Sequence, residues 1–273
     1  MRQPTLLLLL LLLPQPLWAF LQTTTDDGKP IYWTNECVVY HINELGPPDL
    51  ADKEGTFAAI RQSFQTWNNV TCSYLRMVDG GFTDITKSGD NDSSRNLGIN
   101  VLIWREKGAW PHQKKVIALT SILFNPDTGV IADTDIELNS DFSFSVGDEN
   151  VKIDVQNTVT HELGHTIGLD HSTVIESTMF ASAPLGEIKK RTLESDDIDG
   201  ICQIYPIAQN PNNCDLSNVG FISATRGTSS CIATRYDPPT DSRAPRSIVL
   251  LLVISGVCIG LGKRHGRRAT DSL

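Results

Sequence analysis

No run of about 20 consecutive apolar residues occurs in this chain of 273 residues, so no segment reaches the length of an ordinary bilayer-spanning helix. Positive charge is also short. Lys and Arg number 23 against 32 Asp and Glu, a net charge of −9, which excludes the basic footprint that nucleic-acid binding requires. Neither Gly (20) nor Pro (14) is in excess, and no repeat recurs, so collagen-like and low-complexity architectures are excluded. What remains is the composition of an ordinary globular protein with unlike ends.

The N-terminus predicts an export signal over residues 1–19. Arg2 supplies the positive start, Leu6 to Leu13 the apolar core, and Leu17-Trp18-Ala19 a cleavage site ending on a small residue. Six cysteines fit an oxidising compartment. Cys37 and Cys72 are candidate partners, Cys214 with Cys231 would close a loop in the tail, and sequence alone leaves the connectivity open. Residues 207–246 are rich in Asn, Ser, Thr and Pro and predict a linker or small disulfide-stapled module. Residues 247–262 are apolar, but Ile248 to Leu261 spans only ~21 Å as a helix. The basic run at 263–273 behind it suggests a stop-transfer end, so a membrane anchor or sorting tail is expected at the C-terminus.

Between these ends, residues 20–206 predict one domain of mixed elements. A loose polar lead-in runs to Pro30, and Cys37 to Ile42 has strand composition. Phe57, Ile60, Phe64 and Trp67 recur at helical spacing within 51–68. Gly80 to Asn96 reads as a polar loop, and Val101 to Trp104 as a buried strand. Val116 to Phe124 and Val130 to Leu138 form a hairpin about Asn125-Pro126-Asp127-Thr128-Gly129. The returning strand puts Val130, Ala132, Ile136 and Leu138 on one face and Asp133, Asp135 and Glu137 on the other. A second helix starts near Asp154, a good N-cap, and ends about Ile167, and a third lies around Ser195 to Tyr205.

Chemistry concentrates in His161-Glu-Leu-Gly-His-Thr-Ile-Gly-Leu-Asp-His171, which holds three of the six histidines. Positions four apart share a helix face, so His161 and His165 can address one ion. Gly168 tolerates the left-handed backbone that ends a helix, letting the chain return and bring His171 to the same point. Three neutral imidazoles leave a fourth position for water, the arrangement of a catalytic zinc rather than a closed structural one. Glu162 stands beside the metal, where a base can take a proton from zinc-bound water. A purely structural zinc would have no use for it.

This HExxHxxGxxH pattern resembles the metzincin zinc-binding consensus, and Asp170-His171-Ser172 makes it most similar to the matrixin branch. Met179, eight residues after His171, falls where matrixins place the methionine turn beneath the metal, and Leu193 to Tyr205 resembles their closing helix with its paired Asp196 and Asp197. The resemblance implies an α+β fold: a twisted, mostly parallel sheet with an antiparallel edge strand, two long helices and a C-terminal helix. The cleft would lie between the edge strand and the zinc helix. It implies a monomeric zinc endopeptidase, secreted or tethered at the cell surface, that binds a protein or peptide substrate extended along Val116 to Phe124. Phe180 to Lys189 would wall the pocket for the side chain after the scissile bond, with an apolar preference. No cysteine-switch segment precedes the domain, so latency is expected to be enforced otherwise. The family's structural-zinc pattern is not visible, and His41 and His112 stand isolated. Asp127, Asp133, Asp135 and Asp141 are candidate Ca2+ ligands, with solvated carboxylates as the alternative. Two rival functions are a catalytically silent surface binding protein on the same fold and a zinc amidase acting on cell-wall peptides.

Overall fold

The computed structural model describes residues 19–88, 98–217 and 219–220, and the backbone of 270–271. Its long strands are β2 (Cys37–Asn43), β3 (Arg76–Thr83), β4 (Asn100–Arg105), β5 (Ala118–Phe124) and β6 (Ile131–Asn139). Short strands are β1 (Leu21–Gln22), β7 (Phe144–Ser145), β8 (Ile153–Asp154), β9 (Leu169–Asp170) and β10 (Thr270–Asp271), and the helices are α1 (Lys53–Asn68), α2 (Val155–Thr166) and α3 (Ser195–Ile204). The main sheet runs β10-β5-β6-β4-β2-β3. Its β3-β2-β4-β6 part is parallel, and β5 joins β6 antiparallel. This is the α+β arrangement expected from the sequence.

Helix α1 forms where its apolar residues recur every three or four positions. Ile60, Phe64 and Trp67 are buried, and Asp52 caps the first turn by accepting a hydrogen bond from Gly55 N at 2.8 Å. Helix α2 buries Val155, Val159 and Leu163 beside it. Both helices lie on one face of the sheet, against Tyr40 and Ile42 of β2, Leu102 and Trp104 of β4, and Ile136 and Leu138 of β6. The other face carries a smaller cluster of Ile85, Val101 and Ile103.

Five expectations need correction. The polar stretch from Gly80 is partly β3, a strand paired in parallel with β2. Its Asp79-Gly80-Gly81 sequence lacks strand propensity, but β2 offers an edge that β3 satisfies across the α1 crossover. The lead-in is ordered rather than loose: β1 pairs with β9, and Thr23 and Thr25 are buried. The acidic face of β6 is also covered, with Asp133, Asp135 and Glu137 all at most 4% exposed. A register shift where Leu123 and Phe124 face β6 puts Ile131 into the core and leaves Ala132 half-buried.

The fifth correction concerns the disulfides, which join Cys37 to Cys214 and Cys72 to Cys202. After α3 the chain runs back past the domain's first elements. Ile207 N donates to Cys72 O at 2.8 Å, and Asn213 Oδ1 accepts from Glu36 N at 2.8 Å, which delivers Cys214 to the start of β2. Cys231, Cys258 and the apolar run at 247–262 lie outside the described residues. Among the described residues no helix is long and apolar enough to cross a membrane.

Candidate metal centre

Asp154 starts the metal helix. Its Oδ1 accepts from Asn157 N at 2.7 Å, as the N-cap position predicts. The other end is held from outside: Trp33 Nε1 donates to Thr166 O at 2.7 Å and the Tyr205 hydroxyl to Ile167 O at 2.8 Å, satisfying carbonyls the helix leaves open. Gly168 then turns the chain at φ +92°. A Cβ there would lie 2.7 Å from Ile31 O, and Thr23 N donates to Gly168 O at 2.8 Å, so the ordered lead-in closes over this turn. The glycine is required both by its backbone angle and by the close approach of the lead-in at Ile31.

That turn brings His171 to the helix. The imidazole nitrogens of His161, His165 and His171 that could bind a metal lie within 4.8 Å of one another, the only such group of three among the described residues. The ring centroids are 4.8 to 5.3 Å apart. His161 Nδ1 donates to Thr178 O at 2.6 Å and His165 Nδ1 to Leu169 O at 2.9 Å. Both bonds set the tautomer, leaving each Nε2 as a lone-pair donor, and each of these two Nε2 atoms is buried with no hydrogen-bond partner. Burial, and then the neighbouring His165, pushes the His161 imidazole well below its usual pKa. Burial and His171 bring His165 down to about 3. Neutral imidazoles are the ligating form, so the donor set fits a zinc ion.

Glu162 is fully buried beside this cluster, and Thr120 Oγ1 of β5 donates to its Oε2 at 2.6 Å. The hydroxyl joins the edge strand to the metal helix at the one carboxylate the motif provides. Beneath the site, Gly164 makes room for Met179, since a Cβ on Gly164 would lie 2.1 Å from Met179 Sδ.

Several residues that organise the site were not singled out by the motif. Asp197 of α3 accepts from Ser177 Oγ (2.5 Å), Thr178 N (2.8 Å), Met179 N (3.1 Å) and Glu194 N (2.9 Å). It thus positions the carbonyl that orients His161, beyond the capping role its place in the first turn predicts. Asp196 Oδ2 accepts from Ser172 Oγ at 2.6 Å, next to His171. Lys190 is fully buried, and its Nζ donates to Phe180 O. Burial is the largest influence on that ammonium and lowers it to about 8. Thr120 and Lys190 carried no pattern that sequence could reveal. Asp197, with Ser177-Thr178-Met179, did carry one as the paired acid of the closing helix.

The candidate calcium ligands are not brought together. Asp127 and Asp141 are exposed beyond opposite ends of β6, whereas Asp133 and Asp135 are buried between them. Asp135 Oδ1 accepts from Val101 N at 3.0 Å. Glu137 receives both Arg105 Nε (2.6 Å) and Nη2 (2.8 Å).

A mostly parallel sheet with an antiparallel edge, a two-histidine helix closed by a glycine turn and a methionine turn below it define the metzincin class. The family model described as Matrixin matches residues 32–206, more than half of the chain, and the chain belongs to the matrixin family. It is 29% identical over 184 residues to macrophage metalloelastase of Oryctolagus cuniculus, covering 66% of this chain and 35% of that one. It is 32% identical over 184 residues to interstitial collagenase of Bos taurus, covering 66% and 34%. With metalloendoproteinase 1-MMP of Arabidopsis thaliana it shares 26% over 194 residues, covering 68% and 48%. The chain thus spans about a third of the length of the two mammalian relatives and about half of the plant one.

Proposed function

We propose that this chain is an exported zinc-dependent endopeptidase in which His161, His165 and His171 hold the metal and Glu162 is the general base. The observation that carries the reading is the buried Glu162 carboxylate, tied by Thr120 beside three clustered imidazoles. Zinc held there would supply a Lewis acid and lower the pKa of water in its open position toward ~7. Glu162 then takes the proton from the attacking water and returns it to the leaving nitrogen, so no covalent acyl intermediate forms. The Thr120 hydroxyl holds one carboxylate oxygen still, which orients the other for proton transfer.

Strand β5 is the substrate strand in this reading. Its outer edge accepts an antiparallel partner, as the pairing of Thr270 with Thr120 and of Asp271 with Leu119 illustrates. An extended peptide would add there by the same main-chain bonds. Two disulfides among the described residues support export to an oxidising compartment. Surface tethering or release by tail processing remains part of the proposal. A tethered chain would have to draw Thr270 and Asp271 away from β5.

The test uses the full chain, loaded with zinc, on an unbiased peptide library beside Glu162→Ala. Cleavage that disappears with a chelator or the substitution, while Glu162→Ala still binds one zinc, supports the reading. If both proteins hold zinc and neither cuts, the endopeptidase reading fails, and the surface-binding and amidase readings replace it.

A further inference from the structure

The turn that follows α1 carries a tripeptide whose polar residues neither the core nor the metal centre uses. Asn69-Val70-Thr71 is an Asn-x-Thr triplet without proline, the acceptor pattern for an N-linked glycan on the surface of an exported chain. Asn69 and Thr71 are exposed, whereas Val70 between them is buried. The apolar residue thus anchors the triplet and presents the two polar ones to solvent. The segment behind it is pinned as well. Ile207 N donates to Cys72 O at 2.8 Å, Tyr74 N donates to Tyr205 O at 2.9 Å, and Cys72 is joined to Cys202.

Local structure does not account for this asparagine. Asn is favoured just after a helix because it tolerates the left-handed backbone. Asn69 instead stands at φ −75° and ψ −5°, in the right-handed region open to most residues. Its bond in the cap runs through the backbone, with N donating to Gln65 O at 2.9 Å. The adjacent Asn68 is the structural one. Its Nδ2 donates to Met77 O and its Oδ1 accepts from Met77 N, both at 2.8 Å, which ties the end of α1 to β3. Strand β3 forms one end of the sheet, and β5, beside the metal helix, lies toward the other. A bulky group on Asn69 therefore stands clear of the cleft along β5.

We propose that Asn69 is an N-glycosylation site, with an oligosaccharide carried on a polyprenyl diphosphate as the donor. The inference rests on the export half of the proposed function. Asn69 Nδ2 attacks the anomeric carbon of the donor sugar. The new carbon–nitrogen bond forms as the bond from that carbon to the diphosphate oxygen breaks. The electron pair leaves with the diphosphate, and the amide gives up one proton to a base of the transferase. The Thr71 hydroxyl is the second recognition element, so both exposed residues of the triplet are used. Folding does not compete with transfer, because the partner of Cys72 is 130 residues further on. At ~5–20 residues/s that partner is made on the order of 10 s later, so the triplet meets the transferase before the adjoining disulfide can form.

The test secretes the full chain from eukaryotic cells and maps its peptides by mass spectrometry. Treatment with a glycan-removing amidase marks each occupied asparagine by turning it into aspartate. The secreted chain should carry a glycan on Asn69. Asn69→Gln and Thr71→Ala should each lose one glycan's mass, while Thr71→Ser, which keeps the hydroxyl, should retain it. Asn91-Asp92-Ser93, a second such triplet, lies outside the described residues, and peptide mapping keeps it apart from this site. Peptide cleavage by the zinc-loaded protein should be the same before and after glycan removal, and a changed kcat/KM overturns the placement away from the cleft. A secreted chain with both disulfides closed and Asn69 unmodified overturns the assignment and leaves export standing. A chain retained in the cell with its cysteines reduced and no glycan removes the export reading and this one with it.

Discussion

Replacing Asp197 by Asn tests whether the closing helix holds the metal site together. The carboxylate accepts four hydrogen bonds, two at each oxygen: Ser177 Oγ and Met179 N at Oδ1, Thr178 N and Glu194 N at Oδ2. In an amide one of these atoms becomes a donor, so two buried donors face a third. Each unsatisfied buried donor costs about 1–3 kcal/mol, which gives a loss on the order of 4 kcal/mol for the pair. At about 2–4 °C per kcal/mol for a domain of this size, the zinc-free Tm should drop by roughly 10 °C. The chain Asp197, Thr178, His161 then links stability to the metal, because Thr178 O accepts the His161 Nδ1 proton at 2.6 Å. Zinc affinity should weaken by about 10–100-fold, the usual range for partners that orient a ligand. Calorimetry of the zinc-free protein and competition with a chelating dye give the two numbers. Asp196→Asn, which disturbs one bond from Ser172, should do less on both counts. A zinc-free Tm and a zinc affinity that both survive Asp197→Asn refute the reasoning, and a lowered Tm with unchanged affinity refutes the link to the metal.

Cys37→Ser with Cys214→Ser should cost roughly 2–5 kcal/mol, read by denaturant unfolding, and a chain ended at residue 206 should show a similar loss because it lacks Cys214. Stability should also respond to pH through two carboxylates of β6 with opposite signs. Burial alone would raise Glu137, but hydrogen bonds from His112 and Arg105 outweigh it and hold the group at about 2, below its ordinary 4.5. Its contribution, on the order of 3 kcal/mol, is therefore present above pH 4.5 and lost as pH falls toward 2, and Glu137→Gln should flatten that acid limb. Asp133 is raised by burial from 3.8 to about 7, so its contribution is present below 3.8 and lost as pH rises through 7. Asp133→Asn should raise the Tm at pH 8 and leave it unchanged at pH 3.

The clustering of the three histidines was legible because each motif residue answers a local geometric demand. Spacing of four on a helix places His161 and His165, and glycine at 168 permits the φ of +92° that returns His171. The elements with clear periodicity, α1 and α2, were legible for the same reason, and the expected start of α2 near Asp154 agrees with its N-cap there. Strand β3 was not, because Asp79-Gly80-Gly81 has no strand preference of its own and pairs only because β2 presents an edge to it. The disulfides were not legible either. Cys37 and Cys214 are 177 residues apart in sequence, and only the return of the chain after α3 brings them within 4.9 Å at Cα. Thr120 is the clearest loss at the site, since one threonine in an apolar strand has no sequence mark that distinguishes a carboxylate clamp from an ordinary strand residue.

The acidic row of β6 shows why alternation misleads in a sheet that is covered on both sides. Period-two patterning reports which residues share a face but not whether that face meets water. Here the helices take the face of Ile136 and Leu138, while Ile85, Val101 and Ile103 pack on the opposite one with Ile99 against them. Acids on that second face must then find partners. Glu137 finds Arg105 at 2.6 Å and Asp135 finds Val101 N at 3.0 Å, whereas Asp133 accepts backbone bonds from Gly98 and Thr134 that do not offset its burial. Identical chemistry at alternate positions of one strand therefore yields a carboxylate held near 2 and another raised to about 7. Their difference lies in the neighbours: His112 and Arg105, which ends β4 opposite Asn139, reach Glu137, whereas β4 begins with the uncharged Asn100 near Asp133 and Thr134. The positive charge that Glu137 gains across the parallel ladder from Arg105 is thus one that Asp133 does not have.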